Sequence, residues 1–270
     1  MTDTATAASI ESTPPRMSPL RITWGLAGRS LSLIARLPST FVPSLVMPVV
    51  LTISFAGAFS GLVLLGGHPA DKAIDWFLPL YTMQGAAFAG VRIGMGVARD
   101  LATGFYDRLL LSPASRVSLL CGPGLAALVL ALLPLTLLLG VAVVGGASFK
   151  GGVEGVVTLG IAGMGTALAA SAWSVGLALR FKTQQITPVM QTGAFLALFL
   201  STAQMPINLL TGWLRTVALL NPMTYVLALA RQGFLGDVTW TSTWPGLASL
   251  AGLIGVVGLF AYTAMRKVTP

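Results

Sequence analysis

Six stretches of the sequence are long, strongly apolar and almost free of charge, and they limit the possible folds more than any other feature. The one charged side chain within them is Arg92. About 20 consecutive apolar residues are enough to carry a helix across the hydrocarbon core of a bilayer. The stretches are residues 40–66, 76–97, 119–144, 156–179, 188–203 and 244–265. They predict an all-α membrane protein in which residues 38–270 form a domain of six transmembrane helices.

Composition also indicates that a bilayer is the solvent for most of the chain. Only 9% of the 270 residues are charged and the mean hydropathy is +0.84, whereas a soluble domain carries about 25% charged residues. The single cysteine, Cys121, excludes an internal disulfide and a zinc cluster. His, Cys, Asp and Glu are too few for an ordinary catalytic or metal site. We therefore expect a non-catalytic chain that binds no metal and no cofactor.

The distribution of basic residues predicts the orientation of the chain. A net charge of +8 would suggest nucleic-acid binding in a soluble protein, but Lys and Arg also gather in the cytoplasmic loops of membrane proteins. With the N-terminus inside, only four of the 16 basic residues fall outside: Lys72, Lys150, Arg215 and Arg231. We expect a multi-pass protein of a bacterial inner (plasma) membrane, with both termini cytoplasmic, lipids as partners and no nucleic acid.

The region before the first span divides into a tail and a helix. Residues 1–19 are rich in Ala, Thr, Ser and Pro and lack the apolar core of a signal peptide, which predicts a disordered cytoplasmic tail. Residues 20–37 have helical periodicity with three arginines on one side, typical of an amphipathic helix whose basic side meets lipid phosphates at the cytoplasmic interface. The alternative is an extension of the first span, which Pro38 disfavours. The residues that define this interfacial helix are Arg21, Trp24, Arg29 and Arg36.

Residues 204–240, between the fifth and sixth predicted spans, indicate an outer re-entrant helical hairpin. Two apolar pieces, each too short to cross a membrane, are separated by Asn221-Pro222, and Pro222 cannot continue a helix. The alternative is a long amphipathic loop in the periplasm. The residues that mark the hairpin are Trp213, Asn221, Pro222 and Tyr225.

Polar and small residues within the spans suggest two further features. Gln84 and Gln191 are amides at membrane depth, where polar groups need partners, so they are candidates for a translocation path or for a hydrogen bond between helices. Small residues recur at every fourth position of the fourth span, which favours close helix packing over a substrate path. The members of this stripe are Ala162, Thr166, Ala170, Ser174 and Ala178.

The segment ARDLATGFYDRLLLSPASR follows the second span and is predicted to be cytoplasmic. Apolar residues recur in it at helical spacing with charged residues between them, Gly104 interrupts the pattern, and Ser112-Pro113 ends it. Residues 99–112 therefore predict a short amphipathic helix that docks into a groove on a partner protein; the alternative is a helix that lies on the membrane surface. The residues expected to make this contact are Asp100, Gly104, Phe105, Asp107, Arg108, Leu109 and Leu110.

This segment resembles the inner-loop signature of type-2 ABC exporter permeases, particularly those similar to the daunorubicin-resistance membrane proteins. WLRTVALLNPMTYVLALAR, residues 213–231, resembles a second segment of that family, and the order of spans agrees after residue 20. One departure is Arg99-Asp100, where many relatives carry a Glu-rich pair. The resemblance implies a complex of two permease chains, either identical or paralogous, and two ATPase chains. It also implies that the inner-loop helix transmits the closure of the ATPase to the membrane helices. ATP and Mg would bind the partner, since this chain has no phosphate-cradling G-x-x-x-x-G-K-[ST] motif.

Three functions compete at this point. The first is a permease that exports a hydrophobic or amphiphilic drug or lipid, and the second is a permease of the same superfamily that exports a polysaccharide or glycolipid. The scattered aromatic residues, 8% of the chain, disfavour the wide aromatic channel of the second class. The third is a secondary transporter or membrane-embedded enzyme, which would need Asp, Glu or His well inside a span.

Overall fold

Helices make up all the regular structure in the part of the chain that the computed structural model describes, residues 19–35, 38–64, 68–105 and 116–268. The described part also contains one 3₁₀ turn, Gln184–Ile186, between the helices Gly152–Phe181 and Thr187–Phe199. The helices are α1 (Pro19–Ala35), α2 (Pro38–Ala58), α3 (Ser60–Leu64), α4 (Ala73–Ala102), α5 (Arg116–Val144), α6 (Gly152–Phe181), α7 (Thr187–Phe199), α8 (Gly212–Leu220), α9 (Pro222–Leu235) and α10 (Trp240–Val268).

Five of the six predicted spans each overlap one helix and the first overlaps two, although the number of spans stays a prediction. By length and composition, three helices of the described part are able to cross a membrane, namely α5, α6 and α10. α4 has 30 residues but includes four charged side chains, and α7 has only 13 residues, or about 20 Å of helix. The first predicted span is interrupted, because α2 ends at Ala58 and α3 begins at Ser60.

α4 is the central helix, and it packs most closely against α6. A Cβ atom on Gly90 would lie 2.2 Å from the carbonyl oxygen of Ala167, so only glycine allows this approach of the two backbones. The Ser174 hydroxyl donates to the carbonyl of Gly90 across the contact, at 3.3 Å. All five members of the predicted small-residue stripe on α6 are buried. Helix packing, the simpler of the two explanations, therefore accounts for most of the stripe.

α1 lies against α5. Leu26 contacts the surface of α5 at Gly122, where a Cβ atom would come within 2.7 Å of the Leu26 Cβ. Ala27 is buried beside it, whereas Trp24 is 62% exposed. α1 ends at Ala35 and α2 starts at Pro38. Residues 36 and 37 lie outside the described residues, so the expectation that the two helices are separate stays a prediction.

The 204–240 region contains two helices, α8 and α9, that meet at Asn221. A re-entrant hairpin stays a prediction, and we use the word hairpin only as the name of this region. Asn221 lies between them and caps α9, because its side-chain oxygen accepts from the Met223 amide at 2.9 Å. Its side-chain nitrogen donates to the carbonyls of Ala197 and Leu200, at 2.7 and 3.0 Å, at the end of α7. Pro222 is the first residue of α9, where its missing N–H costs nothing.

Candidate functional site

The end of the bundle where α4 terminates, here called the Asp100 end, joins two segments that are far apart in the sequence. The guanidinium of Arg29 on α1 donates two hydrogen bonds to the carboxylate of Asp100, at 2.5 and 2.8 Å. The two side chains are 33% and 14% exposed. A paired, partly buried arrangement of this kind is among the stronger ionic contacts in proteins. The hydrogen bonds that Arg29 donates to Asp100 raise the pKa of Arg29, which keeps the guanidinium charged.

The same guanidinium also holds Phe105. The Cζ atom of Arg29 lies 3.9 Å from the centroid of the Phe105 ring, a cation–π distance. Gly104 adopts φ +68, a left-handed conformation that glycine tolerates best. This turn follows the end of α4 and brings Phe105 to the Arg29 side chain. We call Arg29, Asp100 and Phe105 the Arg29 network.

The structure describes only part of the predicted docking segment. Asp107, Arg108, Leu109 and Leu110 lie outside the described residues, as does Arg36 of the predicted interfacial helix. Arg29 was predicted to face lipid phosphates. In the structure its guanidinium instead pairs with Asp100, because that carboxylate lies close enough to accept its hydrogen bonds. Sequence reasoning missed this pairing because 71 residues separate the two side chains. The sequence feature that could have indicated the pair is that Arg29 and Asp100 carry opposite charges and both lie close to the cytoplasmic ends of predicted spans.

The two membrane-depth amides, Gln84 and Gln191, do not hydrogen-bond to each other. Gln84 is fully buried on α4, whereas Gln191 on α7 is exposed. Neither the oxygen nor the nitrogen of the Gln84 amide has a hydrogen-bond partner within the described part of the chain. A role of either amide in translocation stays a prediction.

A cavity of about 270 Å³ lies among α4, α6, α7, α9 and α10. Its walls are almost wholly apolar side chains, among them Ala87, Leu198 and Met223. Thr166 and Ala170 of the small-residue stripe also border it, so the stripe serves both helix packing and the wall of this cavity.

At the opposite end of the bundle, where α4 begins, Arg231 of the hairpin is 2% exposed. Its Nε donates to the carbonyl of Trp76 at 3.0 Å, and its two terminal nitrogens donate to the carbonyls of Thr202 and Ala203 at 2.6 and 2.5 Å. The Cζ atom lies 3.7 Å from the Trp76 ring centroid. The sequence interpretation treated Arg231 as an ordinary outer charge. The structure shows that it ties the hairpin to α4 and to the segment after α7.

Further polar contacts hold this end together. Lys150 pairs with Asp71 at 2.6 Å, and the buried Asp75 accepts from the Ser148 amide at 2.7 Å. α9 touches α6 directly through glycine, since a Cβ on Gly233 would lie 2.1 Å from the Cα of Gly155.

Of the hairpin residues predicted from sequence, Asn221 and Pro222 form the junction of the two helices. The Tyr225 hydroxyl donates back to the carbonyl of Leu219 at 3.2 Å, and Trp213 is 71% exposed. Among the described residues, no three His, Cys, Asp or Glu side chains are grouped so that they could hold a metal ion.

The bundle is that of an integral membrane protein whose central helix α4, with four charged side chains, packs against the long apolar helices α5 and α6. Sequence comparison identifies the family: the chain belongs to the ABC-2 family of transporter proteins, whose model matches residues 66–263. A probable doxorubicin resistance ABC transporter permease protein, DrrC, of Mycobacterium tuberculosis is 25% identical over 226 residues, in the strains H37Rv and CDC 1551. The alignment covers 79% of this chain and 80% of the relative.

Proposed function

We propose that this chain is the membrane-spanning subunit of an ATP-driven ABC exporter and that a separate subunit hydrolyses ATP with bound Mg. The observation that carries the proposal is the Arg29 network at the start of the family's inner-loop segment, in a chain that belongs to the ABC-2 family. A docking segment must be held rigidly if it is to transmit a push from its partner. Contact with α1, and through α1 with α5, supplies that support.

Coupling would pass from the ATPase to α4. Phe105, with Leu109 and Leu110, would supply the buried anchors of the interface, because apolar side chains at the centre of an interface carry most of its binding energy. Asp107 and Arg108 would lie at the rim and set the register of docking through charge. Asp100 is the last acidic residue of α4, so any displacement of the docking segment would act directly on the central helix.

The proposed placement has both termini in the cytoplasm of a bacterial inner membrane, with the Asp100 end inside. The hairpin would re-enter the membrane from the outer face. Met223, in the first turn of α9, borders the same cavity as Ala87 and Thr166, which stand at the middle of α4 and α6. The Asn221-Pro222 junction would therefore lie near the bilayer midplane, covered by protein as irregular backbone at that depth must be.

The proposed cargo is a hydrophobic or amphiphilic drug or lipid. The cavity wall is apolar, and apolar surface favours apolar cargo through burial. The name of the mycobacterial relative refers to resistance to doxorubicin, an amphiphilic drug.

The deciding experiment is affinity purification of the tagged chain from its native host, with identification of the bound proteins. We expect an ABC ATPase and a permease, either a second copy of this chain or a paralogue, in equal amounts. The complex should then move a fluorescent amphiphile into inverted vesicles only with ATP and Mg. Uptake driven by an ion gradient without any ATPase would refute the proposal in favour of a secondary transporter. Transport of a lipid-linked glycan alone would favour the polysaccharide class.

A further inference from the structure

The cavity of about 270 Å³ lies at the middle of the bundle in the direction of the helix axes. Ala87, Thr166 and Leu253 border it, and each lies at or next to the midpoint of its helix, α4, α6 or α10. These helices have 29 or 30 residues, about 45 Å at 1.5 Å per residue, so in the proposed placement their midpoints lie in the centre of a hydrocarbon core about 30 Å thick. In that placement lipid chains, and not water, surround the protein at this level.

The cavity opens sideways between α7 and α10. Ala197 of α7 borders it on one side and Leu253 and Val257 of α10 on the other, and all three side chains are partly exposed. The two helices do not pack closely against each other along their length. Their separation leaves an opening in the direction of the lipid.

One polar group at the cavity wall lacks a partner. Trp173 borders the cavity, and its Nε1 is buried without a hydrogen-bond acceptor in the described part of the chain. This N–H lies against Gly193, another wall residue, where a Cβ atom would come within 3.0 Å of Nε1. The hydroxyl of Thr166, also at the wall, already donates to the carbonyl of Ala162 at 2.7 Å. The indole N–H is thus an unpaired donor, buried in this conformation, that a guest molecule reaches once the Trp173 ring turns toward the cavity.

We propose that this cavity binds the apolar part of the transported molecule, which enters from the bilayer between α7 and α10 and carries a carbonyl or similar acceptor for the Trp173 N–H. A cavity of about 150 Å³ already holds benzene, whereas pockets for whole drug-sized ligands begin at about 300 Å³. The cavity therefore holds a ring system or part of an acyl chain of the transported molecule, and the polar part of that molecule stays in the opening between α7 and α10. The inference rests on the proposed export function and names where its cargo binds.

Adjacent residues on α10 provide a matched test in lipid nanodiscs that hold the purified permease with its ATPase. Val257→Phe places a ring in the opening, whereas Val256→Phe changes a side chain that is 69% exposed and does not border the cavity. The first probe is doxorubicin, a fused-ring molecule with carbonyl acceptors. Val257→Phe should weaken its binding at least fivefold, and Val256→Phe should leave it unchanged. Trp173→Phe keeps a ring but removes the donor, and should weaken binding about two- to tenfold, the value of one neutral hydrogen bond.

A second probe distinguishes a free drug from a lipid as the guest. Phosphatidylcholine brominated at the middle of its acyl chain quenches a nearby indole. If Val257→Phe removes quenching that is specific to Trp173 but leaves doxorubicin binding unchanged, the site is supported with a lipid chain as guest. Should Val257→Phe fail to assemble, Ala197→Leu narrows the opening from the α7 side.

If neither probe responds to these substitutions in assembled complexes, the cavity is not a binding site and the inference is overturned. This outcome is separate from failure of the proposed function, because both probes measure binding without ATP. Failure of the proposed function would appear in the wild-type chain, as the lack of an ATPase partner.

Discussion

Replacement of Arg231 should loosen the attachment of the α8–α9 hairpin more than any other single change there. Arg231→Met keeps most of the apolar volume but removes the three donors that bind the carbonyls of Trp76, Thr202 and Ala203. The Trp76 carbonyl lies within α4 and retains its helical environment. The carbonyls of Thr202 and Ala203 lie in the non-helical segment after α7 and lose the donor that the structure gives them.

The expected loss of stability follows from these contacts. Each buried polar group left without a partner costs about 1–3 kcal/mol, and the lost cation–π contact with Trp76 costs about 2 kcal/mol at a desolvated site. Removal of the buried charge offsets part of this lost free energy, since burying an ion costs several kcal/mol. We expect a net destabilisation of about 3 kcal/mol, which for a chain of this size lowers Tm by roughly 6–12 °C. Arg231→Lys keeps the positive charge but loses the planar guanidinium. Its Tm should therefore lie between those of the wild type and Arg231→Met.

The assay is thermal unfolding in detergent followed by size-exclusion chromatography, together with limited proteolysis of residues 200–240. Arg215→Met is the control, because Arg215 lies on α8 of the same hairpin with an exposed side chain, and exposed substitutions change stability by about 0.5 kcal/mol or less. A Tm for Arg231→Met within the range of the Arg215→Met control would refute the structural role assigned to Arg231.

Three further predictions concern the docking segment and the topology. Phe105→Ala should leave the protein inserted and expressed but release the ATPase or uncouple its hydrolysis from transport; normal assembly and transport would show that another segment docks. Reversal of either charge, Arg29→Asp or Asp100→Arg, should lower the yield of the complex, since two like charges then face each other, and the double reversal should restore part of it; no recovery in the double variant would mean that the pair does not act as a unit. In a background without the native cysteine, an impermeant thiol reagent on intact cells should label a cysteine at Lys150 but not at Thr183, and the opposite pattern would invert the predicted orientation.

The positions of the helices could be predicted from the sequence because their cause is local. Apolar runs indicate the long helices, and Asn221-Pro222 indicates the junction between α8 and α9. The break at Phe59 was not predicted, since residues 40–66 contain no charge and no proline near that point. Length alone does not reveal where an apolar helix is interrupted.

The contacts of Arg231 and Arg29 could not be predicted from the sequence, because they join distant parts of the chain. Arg231 was counted with the outer charges, since a sequence does not show which backbone carbonyls will surround a side chain. Arg29 was assigned to lipid for the same reason, although Asp100 was already named as part of the docking segment. The sequence prediction named Arg29, Asp100 and Phe105 as parts of two separate segments, but only the fold shows that they contact one another.

The short length of α7 limits the hydrocarbon thickness of the membranes that suit this protein. A long helix adapts to a thicker or thinner bilayer by tilting, but the end of α7 is fixed by the hydrogen bonds from Asn221 to Ala197 and Leu200. Its 13 residues cover about 20 Å, and the hairpin must fill the remaining depth. In the proposed placement the protein is therefore matched to one hydrocarbon thickness at this point, and lipids with longer or shorter acyl chains will strain the junction before they strain the long helices.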